Sequence, residues 1–303
     1  MRDARRAGID SFRAWSVERL ALETTDERPI RVDAFRYARR RQAEFDMHYC
    51  LELGVVLRGR MDRQYGTGGA FSYGPGEVWM CGMWEPHGWS ISRAPLECVV
   101  IFLHPPLLAQ LRFHEAPQVS WLAPFVAPPD ARPVIRGARR GEVMELTREI
   151  VDSGRADTPL ARIDLHLKTL ALLRLVLESG TPPAQPRAAA RVDMQPIGTA
   201  IQLVFETPGF VSTSRAARAC GLGRNALSRL FVDYMGISFA EFAVRYRVRA
   251  AASQLRDTAD PVKAIASTWG FTDASHFYRR FVKYYGCSPT EYRRHRGPAA
   301  DAD

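Results

Sequence analysis

Two segments fifty residues apart carry side chains suited to reading a polyanion: "GRNALSRLFVDYMG" (223–236) and "TDASHFYRRFVKYYG" (272–286). Each pairs a small polar residue with an arginine one helical turn later. These are Asn225 and Arg229, with Ser228 beside them, in the first, and Ser275 and Arg279 in the second. Arginine can bond guanine through two N–H groups, asparagine does the same with adenine, and serine adapts to either. Further bases in and before the two segments, Arg215, Arg218, Arg224, Arg280 and Lys283, suit phosphate contacts, which position a protein on a duplex without reading it.

Elements of a particular kind must hold these residues. At 100° per residue, Leu227, Phe231 and Tyr234 gather on one side of the first segment. Phe277, Phe281 and Tyr284 do so in the second. Asn225, Arg229 and Val232 fall on the opposite side in the first copy, and Ser275, Arg279, Val282 and Lys283 in the second, flanked by His276 and Tyr278. Upstream, "ARACGL" answers "IASTWGF", so each copy reads as helix, glycine turn, helix. Asp260-Pro261 is the expected start of the earlier helix in the second copy. Thr272 or Asp273 is expected to cap the later one and Gly286 to end it. "FAEFAVRYRVRAAASQLRDT" (239–258) is the helix expected to join the copies.

Charge distribution agrees. The chain of 303 residues has a net charge of +9, and residues 193–296 hold 15 Lys/Arg against 8 Asp/Glu. A basic domain of this kind points first to nucleic acid and second to an anionic membrane. No apolar run approaches the roughly 18–20 residues of a membrane span, and "MRDARRAGIDSFRAWS" lacks the apolar core of a secretion signal. The five cysteines contain no CxxC pair and fit a reducing cytoplasm. Cys50, Cys81 and Cys98 are candidate oxidation sensors, with inert buried thiols as the plain alternative. No GxSxG elbow, P-loop or GxGxxG following a strand is present, so no enzyme class is indicated.

The first half has a different texture. Between residues 28 and 103, short runs such as "MHYCLELGVVLRG", "GAFSYG", "EVWMCGMW" and "LECVVIFLH" are separated by Gly/Pro punctuation, which predicts many short strands in a sandwich or small barrel. From about 139 the period becomes helical, with Leu160, Ile163, Leu167, Leu170 and Leu177 near one stripe. "GTPPAQPRAAARVD" (180–193) is the best linker.

The motifs "ARACGL…LSRLF…MGISFAEF" and "IASTWGFTDASHFYRRFVKYYGCSPTEYRR" resemble the AraC/XylS family of bacterial transcription regulators over about residues 193–296. The resemblance implies two helix-turn-helix units on a rigid connecting helix, entering successive major grooves. By position it makes Asn225, Ser228 and Arg229, and Ala274, Ser275, Tyr278 and Arg279, the base-facing residues; Ala274 comes from the resemblance alone. "DMHYCLELGVVLRG", "YGPGEVWM" and "EPHGW" resemble the cupin-like sensor domain common in that family. The helices over about 139–179 fall where such regulators dimerise.

Metal-binding cupins use HxH, then Glu, then a later His. Asp46, His48, Glu52 and His87 take the corresponding places, with Asp46 replacing the first His. Two imidazoles and a carboxylate could form a facial metal triad; the favoured reading is a metal-free effector pocket with no cofactor. Its expected residues are His48, Glu52, Trp84, His87 and Trp89, with Trp79 and Tyr49 nearby.

The expected fold is therefore α+β with two domains. A cupin-like β-sandwich or barrel (1–138) carries trailing helices that dimerise (139–180). A linker (181–192), an all-α tandem helix-turn-helix domain (193–296) and a tail (297–303) follow. The expected function is a cytoplasmic, homodimeric, ligand-responsive regulator binding double-stranded DNA, with RNA polymerase as a further partner and no membrane. Two alternatives are a metal-dependent cupin enzyme fused to a DNA-binding domain, and a constitutive dimeric DNA-binding protein.

Overall fold

The computed structural model describes residues 24–42, 44–66, 69–117, 119–179 and 195–296. The expected linker, the tail and the N-terminal "MRDARRAGIDSFRAWS" lie outside the described residues. The chain forms two compact units, Met1–Gly198 and Thr199–Asp303.

The first unit is built on one antiparallel sheet: β1 Ile30–Tyr37, β2 Glu44–Asp46, β3 Leu51–Tyr65, β4 Ala70–Tyr73, β5 Val78–Cys81 and β6 His87–Leu103. Its order is β1-β6-β3-β4, with β2 on β6 and β5 on β3. It is an open sheet, not a closed barrel. The two long strands run together from Leu51 opposite Leu103 to Tyr65 opposite His87, with register shifts between Val56 and Met61. Such bulges bend the strand and raise its twist, so shorter strands pair with different parts of β3 and β6. Gly59 sits in this bend at φ 84°, where a Cβ would lie 2.3 Å from the Pro95 carbonyl oxygen.

β3 changes character along its length. Leu51 to Val56 is buried without a break, whereas Met61, Arg63 and Tyr65 alternate inward with Asp62 and Gln64 between them. That period of two puts an arginine on the core face. Short helices α1 Pro105–Gln110 and α2 Ala123–Val126 follow the sheet, then α3 Arg139–Arg155 and α4 Pro159–Glu178. Thr158 caps α4 by accepting from the Ala161 N–H, and Pro159 takes the first helical position, which needs no donor. α4 buries Leu165, Leu172, Leu173 and Val176. The stripe read from the sequence points elsewhere: Leu160, Ile163 and Leu167 are 77%, 54% and 61% exposed.

Helix α5 Gln195–Glu206 spans the boundary at Gly198, and the second unit is all helical: α6 Thr213–Ala219, α7 Arg224–Met235, α8 Phe239–Asp257, α9 Val262–Thr268, α10 Ala274–Tyr285 and α11 Pro289–Arg296 follow. α6–α7 and α9–α10 are the two helix-turn-helix copies, and α8 joins them. In the first, Leu227 and Phe231 are buried, and Phe231 packs edge-on against Phe239 and Phe242 of α8. In the second, Phe271, Phe277 and Phe281 join Leu255, Ile265 and Tyr292 in one core. α9 starts later than the Asp260-Pro261 pair suggests: Pro261 is itself the N-cap, and the Asp260 carboxylate accepts from Gln254.

Candidate nucleic-acid interface and ligand pocket

The turn that precedes α10 is tightly constrained. Gly270 has φ 71°, and a Cβ there would lie 2.7 Å from the Phe210 backbone nitrogen and 2.8 Å from the Gly209 Cα. Only glycine meets both the conformation and the approach. Arg247 of α8 fixes the same turn: its Nη1 donates to the Gly270 carbonyl at 3.0 Å, and its guanidinium lies 4.6 Å from the Phe271 ring centroid. The sequence reading missed Arg247, because nothing in the helical period of α8 distinguishes a buried arginine from an exposed one. Asp273 then caps α10, accepting from the Ser275 and His276 N–H groups. Gly286, at φ 70°, ends α10, and Gly236, at φ 67°, ends α7 in the same left-handed conformation.

These caps and turns leave one face of each later helix open. Asn225 and Arg229 are exposed in the first copy, with Ser228 half-buried; Ala274, Ser275, Tyr278 and Arg279 are exposed in the second. Val232 and Val282, at equivalent positions, also face solvent, at 49% and 44%. Arg215, Arg218 and Arg224 are exposed around the first copy.

Arg280 and Lys283, read as phosphate contacts, have an acidic neighbour within the unit. Both reach Glu241 of α8, at 3.5 and 3.4 Å, and the Tyr284 hydroxyl donates to the same carboxylate at 2.6 Å. Burial pushes the Glu241 carboxyl up, but Tyr284, Lys283 and Arg245 together hold it below its ordinary value. These ion pairs link α10 to the start of α8 and leave Lys283 half exposed.

The first unit holds a cavity of about 390 Å³. Its floor is a buried polar cluster around Glu52. Glu52 Oε1 accepts from Arg63 and from the Trp79 indole N–H; Oε2 faces His48 Nε2 at 3.1 Å and His87 Nε2 at 3.3 Å. Gly54 makes the Trp79 bond possible, since a Cβ there would lie 1.9 Å from the indole ring. The Nδ1 atoms of both imidazoles are engaged by backbone carbonyls, His48 with Cys50 at 2.9 Å and His87 with Glu85 at 2.8 Å. Arg63 also reaches the Cys81 sulfur at 3.0 Å. Burial pushes the Glu52 carboxyl up, but the adjacent Arg63 charge and the two imidazoles hold it well below the ordinary carboxylate range. Burial pushes His87 down, and the Cys81 and Glu52 side chains raise it well above its ordinary value. The Cys98 thiol, on the cavity wall, is pushed up by burial to about 12.

Of the five pocket residues read from the sequence, Glu52, His87 and Trp89 line the cavity, and His48 backs Glu52. Trp84 does not line it. The 82–86 turn is fixed by Glu85, which accepts from the Gly82 N–H and holds Arg132 through both carboxylate oxygens at 2.8 and 2.7 Å. Trp84 is thereby turned, at φ 49°, onto the Tyr49 ring 5.2 Å away. Arg63 was missed, although its alternation with Met61 and Tyr65 was a usable signal.

Asp46, His48 and His87 place one ligand atom each within 4.8 Å of one another, as do Glu52, Cys81 and His87. Arg63 already brings a positive charge to Glu52 and Cys81, which disfavours a metal ion in the second set.

Residues 20–192 match the family model described as the regulatory protein PchR N-terminal domain, and residues 216–295 match that of a helix-turn-helix domain. The chain is similar to the RCS-specific HTH-type transcriptional activator RclR of Escherichia coli strain K12, 32% identical over 98 residues, 32% of this chain and 34% of that one. It is similar to the HTH-type transcriptional regulator Rv1931c of Mycobacterium tuberculosis, 35% identical over 78 residues, 26% of this chain and 30% of that one. A solved structure of ToxT from Vibrio cholerae O395 aligns with TM-score 0.48 and 12% identity, covering 88% of this chain and 98% of that one. The chain spans about a third of the length of these two curated relatives. Among the described residues, no helix is long and apolar enough to cross a membrane.

Proposed function

The chain belongs to the AraC-type regulators that carry a PchR-type N-terminal regulatory domain, and from that premise we propose that it is a sequence-specific, DNA-binding transcription regulator controlled by a small molecule held in the N-terminal cavity. The observation that carries the DNA reading is the duplicated exposed face: Asn225 and Arg229 on α7, Ser275 and Arg279 on α10, each on a helix held by a glycine turn and a buried aromatic core. The first turn of a recognition helix is the part that reaches base edges in the major groove. Ser228, Ala274 and Tyr278 complete the two faces, and Arg215, Arg218, Arg224, Arg280 and Lys283 contact phosphates. The relatives named above are transcription regulators by their printed names, and no catalytic role is assigned here.

Leu160, Ile163 and Leu167 form an apolar helix face that a second copy of the chain would cover, making the regulator a homodimer. Ligand binding in the cavity would favour one arrangement of the two DNA-binding units over another, and that differential affinity is the switch. RNA polymerase is the further partner of an activator, and the cytoplasm is where such a regulator meets DNA. Within this reading, residues 1–138 sense, 139–180 dimerise, 181–192 link and 193–296 bind DNA.

The test is selection of the full chain against a random duplex pool at moderate salt. The expected result is an enriched site with two blocks in successive major grooves. Recovery of unenriched sequence would overturn the proposal.

A further inference from the structure

Arg63 has hydrogen-bonding capacity that its neighbours leave unused. Its side chain is buried and lines the cavity. Nη2 makes the bonds to Glu52 and Cys81, while Nε is buried with no hydrogen-bond partner. A guanidinium carries five N–H donors, and leaving one unmet in a buried site is costly enough to call for an explanation. Above this floor the lining mixes aromatic side chains, Phe35, Tyr37, Trp89 and Phe102, with the charged Arg31, Asp33 and Arg41. The acids of the lining have partners: Asp33 pairs with Arg31 at 2.9 Å, Glu52 is held by four side chains, and Asp46 accepts from the Met47 N–H.

We infer that the cavity takes a planar aromatic ligand bearing one acid group, with an acid oxygen accepting from Arg63 and the ring lying between the aromatic walls. The inference rests on reading this cavity as the effector site. An amine would meet a guanidinium. An acid oxygen would accept from the guanidinium where it lines the cavity, and charge-assisted bonds to guanidinium are among the strongest available. Arg41, exposed at the rim, lies 5.3 Å from the Tyr37 ring centroid and 5.7 Å from that of Trp89, so the open end of the cavity is framed by cation–π contacts.

The experiment is calorimetric titration of the full chain at pH 7 with 1-naphthoate and with 1-naphthalenemethanol, its neutral isostere. The acid is expected to bind about ten- to a hundred-fold tighter than the alcohol, the range of one charge-assisted hydrogen bond. Arg63→Gln should remove that difference, and Trp89→Ala should weaken both ligands. Should Arg63→Gln fail to fold, the ratio of acid to alcohol on the wild-type chain still decides. Equal binding of the two, or binding of neither, overturns the inference. So does stoichiometric uptake of zinc or manganese ion alone, lost in His48→Ala, with no binding of the acid. A chain that selects a DNA sequence but ignores the acid keeps the DNA reading and loses this one. A chain that binds the acid with unchanged DNA affinity keeps this site and loses the effector link.

Discussion

Arg63 in the sheet and Arg279 on the second recognition helix are the same side chain put to opposite uses. Arg63 is enclosed, bonded to Glu52 and Cys81, and lies 5.0 Å from the Trp79 ring centroid. Arg279 is exposed, with the Asp273 carboxylate 3.9 Å away. A buried ion pair needs both members, because removing one leaves an uncompensated charge in a low-dielectric site. An exposed arginine contributes little to folding and is free for a partner. The first site should therefore fail as a unit under mutation, while the second should lose binding without losing structure.

Glu52→Gln is the strongest way to break that contrast. It should cost the first unit about 3–5 kcal/mol, the usual penalty for stripping one partner from a buried pair, read by urea denaturation. A cost below about 1 kcal/mol would mean that the cluster is solvated. The pH dependence has a definite sign. Glu52 has a depressed folded-state value, so its contribution is present above the ordinary carboxylate range and is lost as pH falls through the folded value. His87 is raised, so its contribution is full below the unfolded value, near 6.5, and is lost as pH rises through the folded value. In Glu52→Gln the acid-side loss should shrink.

Arg247→Met sharpens the comparison from the other side, being a buried arginine inside the DNA-binding unit. Losing its bond to the Gly270 carbonyl and its ring contact with Phe271 should cost about 2 kcal/mol and loosen the turn before α10, seen as faster amide exchange there. Unchanged exchange would show that Gly270 and the Asp273 cap hold the turn unaided. Replacing Leu160, Ile163 and Leu167 together by serine should convert dimer to monomer in sedimentation and remove the dependence of melting on protein concentration, with the far-UV spectrum unchanged. A dimer that persists would place the interface elsewhere. The smallest effect is expected from Arg224→Ala: a uniform weakening across DNA sequences and a salt slope reduced by about one.

The two regions also differed in how far they could be read from the residues alone. α7 and α10 were legible because everything that defines them is local. Core aromatics at helical spacing, a capping Asp273 and glycines at 236, 270 and 286 lie within single short segments, and the repeat doubled each signal. The cavity was only half legible. Glu52, Arg63, Trp79 and His87 come together through cross-strand pairing and a bulge between Val56 and Met61, and no sequence period records such a register. Trp84 was misplaced because its direction is set by Glu85 and Arg132, which lie 47 residues apart. The pairing of Arg280 and Lys283 with Glu241 was missed for the same reason, since Glu241 and Lys283 are 42 positions apart.

The most direct test of the account is to profile the selected DNA site, one base pair at a time, with wild type, Arg229→Ala and Arg279→Ala. Each variant should lose about 1–3 kcal/mol and relax preference in one block only, a different block for each, because one bidentate arginine pair carries that much discrimination. If both variants relax the same block, or both bind the site as wild type does, α7 and α10 do not read successive grooves and the bipartite account is wrong.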